Sequence, residues 1–289
     1  MKIRYLVANS IFGSLLLKLA KSQNNNFKGA LKILIYHDIA YNDFNKFEEQ
    51  IEYINRYYGF IRPDDLQDIL TGQMKYSGTR VLLTFDDGFK SNVLLAENIL
   101  NPLGIKAIFF IPPDFINKKS RDAQRIFIAG NIYKNHFSPK EISDDWEPMS
   151  WHDLKRLVNQ GHTIGAHTLN HRRLTDFKSK DELTREIIES GDMLQKKLGS
   201  NIDHFSYPFG DIKSIDLKSM KIIKERYKYC YSGIRGINHF NSNPYAILRD
   251  QVSLDDPPAY FRLILENVLA LMYKKKAILL ANMAKICCL

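Results

Sequence analysis

The sequence predicts an α/β fold: a distorted (β/α)7 barrel built as a single domain with helical flanks. Three observations carry that expectation. Val81-Leu82-Leu83-Thr84-Phe85 reads as a short strand buried on both faces, and it ends in Asp86-Asp87-Gly88 before a helical stretch from Ser91 to Leu103. Short apolar strands then alternate with helical periods along the chain in roughly seven βα-like units, which favours a barrel over an open doubly wound sheet. Four of the strands carry chemically useful residues at their C-terminal ends, and a closed parallel barrel gathers all such ends on one face.

Taken in order, Ile3, Val7, Ile11, Leu15 and Leu19 recur at every fourth position and mark an amphipathic helix. It is expected either to pack on the barrel or to lie on a membrane. Asn9, Ser10, Ser14 and Lys18 interrupt it, so it reads as neither a clean secretion signal nor a membrane span. Residues 22–28, with three consecutive Asn, form a linker, so 1–28 is expected to stand apart from a domain at 29–256. Leu31 to His37 is the first strand, and Phe47, Ile51, Ile54 and Tyr58 mark one face of a helix. Phe60-Ile61 is a candidate short strand, and Pro63 opens a helix running to Leu70. A loop from Thr71 to Arg80 leads into the acidic strand.

Lys106 to Ile111 is a further strand, stopped by Pro112-Pro113. Residues 114–148 show no clear period and are read as an insertion over the mouth of the barrel, where selectivity usually resides. His136 and Trp146 are either sugar contacts there or ordinary surface residues. Ser150 and Asp153 resemble a capping box opening the helix that ends at Gly161. Thr163 to His167 is the next strand, and Asp181 to Leu198 a long helix acidic at its start and basic at its end. Residues 219–227 and 229–233 continue the alternation. Asp255, Asp256 and two prolines then open a basic, amphipathic helical tail over 257–289.

Charge is unevenly placed. The chain of 289 residues has a formal net charge of +9. Five basic residues and no acid lie in 1–28, and five basic residues against Glu266 in 257–289, so the middle carries 31 of each sign. A neutral body argues against a nucleic-acid-binding face, which needs a basic stripe on the folded domain. Lys274-Lys275-Lys276 followed by apolar residues suits a membrane surface or a partner protein. Cys230, Cys287 and Cys288 give no disulfide framework, mildly favouring a reducing compartment.

Two adjacent carboxylates repel, so Asp86-Asp87 at a strand tip suggests a cation or a shared proton; an ordinary Asp-Gly turn is the plain alternative. The block Gly161 to His171 places His167 and His171 four apart, on one side of a helical turn or tight loop, while His162 precedes the strand and reads as structural. Two His and one carboxylate make a three-ligand site with an open position for water. His37 ends the first strand, and His204-Phe205-Ser206-Tyr207-Pro208-Phe209-Gly210 is a further strand closing in a turn.

Thr-Phe-Asp-Asp-Gly, His-Thr-Leu-Asn-His and Ser-Tyr-Pro-Phe-Gly together resemble the first three motifs of the polysaccharide deacetylases, the NodB-like carbohydrate esterases of family 4. Ile-Leu-Ile-Tyr-His-Asp near the start, and Met149-Ser150-Trp151 leading into Gly161-His162, resemble the circularly permuted branch that includes the poly-N-acetylglucosamine deacetylases. The likeness spans roughly residues 30–256. It implies Asp87, His167 and His171 as ligands of a divalent metal, with Zn²⁺ the expected ion, and Asp86 as general base. It implies His37 as general acid and the Phe209 N–H as an oxyanion donor.

There are departures from the family pattern. Ser206 and Tyr207 stand where many members carry an Arg, and the usual later Asp-Trp motif is absent. Arg249, in Ala246-Ile247-Leu248-Arg249-Asp250, is the candidate replacement cation near Asp86, against a surface Arg on an edge strand.

The implied activity is removal of N-acetyl groups from N-acetylhexosamine units of a bacterial surface polysaccharide or its precursor. Two alternatives stand beside it: deacylation (deacetylation or deformylation) of a lipid-linked sugar at the cytoplasmic membrane, and non-catalytic sugar binding. The implied partner is a carbohydrate, not nucleic acid, with peripheral membrane contact through the basic termini. The expected location is cytoplasmic or on the inner face of the membrane, ahead of an exported form. Oligomeric state is left open.

Overall fold

A computed structural model describes residues 29–286. The expected amphipathic helix and linker at 1–28, and Cys287 and Cys288, lie outside them. Seven parallel strands build the sheet: β1 (Ala30–Tyr36), β2 (Thr79–Phe85), β3 (Ala107–Ile111), β4 (Thr163–Ala166), β5 (His204–Ser206), β6 (Tyr229–Tyr231) and β7 (Asp250–Gln251). Their spatial order is β6-β5-β4-β3-β2-β1-β7, so each of β1 to β6 lies beside its neighbour in sequence, as right-handed βα crossovers produce.

The two outer strands meet. Ile247 bridges Tyr231 of β6 just before the chain enters β7 beside β1. Its carbonyl accepts from Ser232 N–H at 2.9 Å, and its N–H donates to Cys230 at 3.1 Å. This stretch therefore joins both sides of a curled, barrel-like sheet and is not the edge strand considered from the sequence.

Burial on both faces explains the apolar strands. Leu31, Ile33, Leu82, Ile108, Phe110, Tyr231 and Ile247 pack together inside the barrel. Leu34, Tyr36, Leu83, Phe85 and Phe109 face outward into the larger core beneath the helices. Leu66, Ile69 and Leu70, from the helix Leu66–Thr71, join the inner cluster. That helix leads through residues 72–78 into β2, so it stoppers the end where the strands begin.

Several boundaries differ from the sequence expectation. The segment 114–148 is structured: helices Pro113–Ile116 and Arg121–Phe127 are followed by a wider turn at Ile128–Ile132, all sharing a satellite cluster of Phe89, Phe115, Phe127 and Ile128. Helices of four and seven residues are too short to establish a visible period. The helix after β2 holds α geometry only over Ser91–Leu95 before a π-type turn, and that after β4 widens likewise at Arg185–Glu189. The Ser150–Asp153 capping box is present, with Asp153 N–H donating to Ser150 Oγ at 3.1 Å and Ser150 N–H to Asp153 Oδ2 at 2.8 Å. Phe60 makes only an isolated bridge to Val81.

After β7 the chain forms the helix Pro258–Leu265, a 3-10 turn at Val268–Tyr273 and the helix Lys274–Ile286. It is tied to the barrel by a buried ion cluster. Lys32 pairs with Asp250 at 2.7 Å and donates to Asn267 Oδ1 at 2.9 Å, while Arg235 lies 3.3 Å from Asp250.

Candidate active site

Strand register assembles the site. Tyr36 pairs with Phe85, so the next residues, His37 and Asp86, emerge side by side. Ile111 pairs with Ala166 and accepts from His167 N–H at 3.1 Å, bringing the histidine block level with the acidic one. Ser206 pairs with Tyr231, delivering the Pro-Phe-Gly turn to the same rim. His37, Asp86, Asp87, His167, His171, Phe209 and Arg249 all line one cavity of about 440 Å³. Clefts of 630 and 800 Å³ elsewhere contain no histidine, so the donor set, not size, marks this site.

Asp87, His167 and His171 offer ligand atoms that lie within 4.8 Å of one another, all three residues being buried. Asp87 Oδ1 is 3.0 Å from His171 Nε2 and 3.5 Å from His167 Nε2. The other ring nitrogens are committed: His167 Nδ1–H donates to the Ser206 carbonyl at 2.7 Å and His171 Nδ1–H to the Asn131 carbonyl at 2.9 Å. A carbonyl only accepts, so both neutral rings carry their proton on Nδ1 and turn the Nε2 lone pair inward. Those lone pairs converge with a buried carboxylate oxygen that has no hydrogen-bond donor. Such a donor set fits a divalent cation.

The electrostatics agree. Burial alone pushes the Asp87 carboxyl up, but the two histidines, with a smaller contribution from His37, outweigh it and hold it well below the usual range. Burial likewise lowers His171, yet the neighbouring Asp87 raises it overall, helped by its contact with the Asn131 carbonyl and by the Asp86 charge. The cluster is built for positive charge at its centre.

Asp86 has a different partner. Arg249 donates to both its oxygens, Nη1 to Oδ1 and Nη2 to Oδ2, each at 2.8 Å. The same guanidinium donates to Thr84 Oγ1 at 3.0 Å, Ser206 Oγ at 2.6 Å and the Ser232 carbonyl at 2.9 Å. All five of its N–H groups are thus satisfied, and its carbon sits 5.0 Å from the Phe110 ring. At 1% exposure it is no surface residue. Burial raises the Asp86 carboxyl, but Arg249 chiefly, with His167 and His37, brings it below the ordinary value, so it is held as the anion.

Backbone strain concentrates here. Asp87, Thr168, His171 and Phe209 all have positive φ, between 53° and 75°, although none is glycine. The histidine block is therefore a tight loop, not a helical turn. Glu186 fixes it by accepting from Asn170 N–H at 2.9 Å and Asn170 Nδ2 at 3.0 Å, while Asn131 Nδ2 donates to the Asn170 carbonyl at 2.7 Å. Gly210, at φ 62°, lies against Gly233 so closely that an added Cβ would meet its nitrogen at 2.4 Å.

His162 is not part of the site. Its Nδ1 accepts from Ala107 N–H at 3.2 Å and its Nε2 lies 3.0 Å from Asn101 Oδ1, while burial lowers its pKa to about 4. His136 is exposed; Trp146 is half-buried, stacked on Tyr133 at 5.1 Å. Tyr133 itself lines the cavity, as does Ile132. Asn131 and Tyr133 were not legible from the sequence, because a backbone carbonyl and a cavity-lining ring in an aperiodic segment leave no residue pattern.

Comparison with known proteins agrees with this geometry. Residues 73–225 match the family described as polysaccharide deacetylase. The chain is 25% identical over 234 residues to YxkH of Bacillus subtilis, covering 77% of this chain and 71% of that protein. It is 27% identical over 146 residues to the peptidoglycan-N-acetylglucosamine deacetylase of Bacillus cereus, covering 50% of this chain and 41% of that one. Among solved structures, IcaB from Ammonifex degensii superposes with a TM-score of 0.61 at 20% identity, covering 83% of this chain and 97% of that chain. The family match, with the fold and the Asp-His-His site, makes the chain a member of the polysaccharide deacetylase family.

Proposed function

We propose that this protein is a metal-dependent hydrolase that removes N-acetyl groups from N-acetylhexosamine units of a bacterial polysaccharide or its precursor. One observation carries the reading. A three-ligand site and a separately ionised carboxylate face a single cavity that also holds a histidine from β1's end and a left-handed turn. The name of the Bacillus cereus relative, 27% identical, supports N-acetylglucosamine as the sugar.

Asp87 Oδ1 and the Nε2 atoms of His167 and His171 would hold the ion, with Zn²⁺ the expected one for an N₂O set. When bound, it would polarise the acyl carbonyl and lower the pKa of a water in its open position. Asp86, kept as the anion by Arg249, takes a proton from the attacking water. The Phe209 N–H, in the turn lining the cavity, donates to the oxygen that becomes anionic as water adds. His37 gives its proton to the amine nitrogen as the C–N bond breaks, since an unprotonated amine leaves poorly. The products are acetate and a free amino sugar. A purely sugar-binding role would not require a proton acceptor and a proton donor beside the three ligands.

The test is incubation of metal-loaded protein with N-acetylglucosamine oligomers, scoring acetate and new primary amine together. Equal amounts of both are expected. Amine without acetate would replace the acyl group, and tight sugar binding with neither product would overturn the catalytic reading.

A further inference from the structure

The helix Lys274–Ile286 is apolar on two faces. Leu280 and Ala284 are buried in the main core, where the helix packs on Leu217–Arg226 and on the turn Ile212–Ser214. Its outer side presents Ile278, Leu279 and Ile286 at 50–56% exposure, and the turn before it presents Leu271 and Met272 at 75% and 72%. A surface helix ordinarily turns polar residues outward, and clustered exposed apolar side chains mark a contact surface. The apolar residues are interleaved with Lys274, Lys275 and Lys276, all exposed, and Glu266 is the one acid in residues 257–289. No described helix is long and apolar enough to cross a membrane.

We propose that the face formed by Leu271, Met272, Lys274 to Lys276, Ile278 and Leu279 docks this protein on a bilayer surface containing anionic lipid. Apolar side chains entering the headgroup boundary and adjacent lysines meeting lipid phosphate are the two halves of interfacial binding. The turn Ile212–Ser214 beneath this helix begins two residues after Phe209 and Gly210 of the cavity wall, so a short stretch of chain links the docking element to the cavity. The lipid contact stands or falls independently of the deacetylase reading, because it is measured without turnover.

The test is co-sedimentation of the full chain with phosphatidylcholine vesicles, with and without phosphatidylglycerol. Binding is expected only with phosphatidylglycerol, weakening as salt is added. Replacing all three lysines (K274Q, K275Q, K276Q) should lower affinity on the order of 100-fold. The L271E, M272E pair should also release the protein. Both variants change exposed side chains, so thermal unfolding and metal content should match the parent; if the glutamate pair misfolds, the lysine triple decides. No binding to phosphatidylglycerol vesicles, or equal binding by the lysine triple, overturns the proposal. So does a dimer in sedimentation velocity that L271E, M272E dissolves without any lipid affinity, which would make the face an interface between copies.

Discussion

Asp86 and Asp87 are adjacent and both buried, yet one is clamped by a guanidinium and the other faces two imidazoles. The left-handed φ of 75° at Asp87 turns the second carboxylate away from the first, which is how neighbours in sequence acquire different partners. Asp86→Asn should keep a full complement of metal and lose turnover by roughly 10²–10⁴-fold, the usual worth of a positioned base. His167→Ala should lose both, and full metal content in that variant would sink the ligand assignment. Arg249→Met strands the Asp86 charge in the interior, so thermal denaturation should report a loss of about 3–5 kcal/mol. With the arginine gone the Asp86 pKa rises, and the acid limb of any residual activity should move to higher pH. Arg249→Lys should be milder in pH profile, since it keeps the charge while losing the two-point fit and part of the fork's bonding to Thr84, Ser206 and Ser232. The candidate ligands Asp87, His167 and His171 were legible because each is a side chain in a motif; the Asn131 and Ser206 carbonyls that orient the rings were not, because backbone acceptors have no residue signature.

At the scale of elements, the site depends on a close approach between β3 and β4. Gly165 has Phe110 so near that an added Cβ would meet its ring at 2.6 Å, and the His204 carbonyl at 3.0 Å. Phe110 is the ring beneath Arg249. Gly165→Ala should therefore cost about 1–3 kcal/mol by overpacking and lower activity as well, through displacement of the Arg249–Asp86 pair. Unchanged activity with lowered stability would separate the two effects. β1, β2, β3, β4 and β6 were read within one or two residues because doubly buried β-strands are continuous apolar runs, whereas the two-residue β7 is too short to show one. The mouth segment failed the same reading because its short helices bury a local aromatic cluster instead of a periodic stripe. The setting of Arg249 stayed open between a buried cation and an edge-strand surface residue because the Tyr231–Ile247 bridge, which joins the sheet's two sides, is a non-local contact.

For the whole molecule, two histidines outside the site add to the acid sensitivity. Burial lowers His162 and His204 to about 4 each, against about 6.5 when unfolded. Between those values the unfolded chain binds more protons, so stability falls as pH drops from about 6.5 to about 4, by roughly 3 kcal/mol per histidine at the bottom of that range. Urea midpoints measured across the window should show the loss, and His204→Asn should shallow the slope; an unaltered slope would remove His204 from the account.

Whether Asp87, His167 and His171 hold a catalytic metal is decided by metal analysis of the purified protein, paired with acetate release before and after chelation. One equivalent of a divalent ion is expected, with release that stops on chelation and recovers when the ion is added back. Release that continues unchanged in metal-free protein would contradict that assignment.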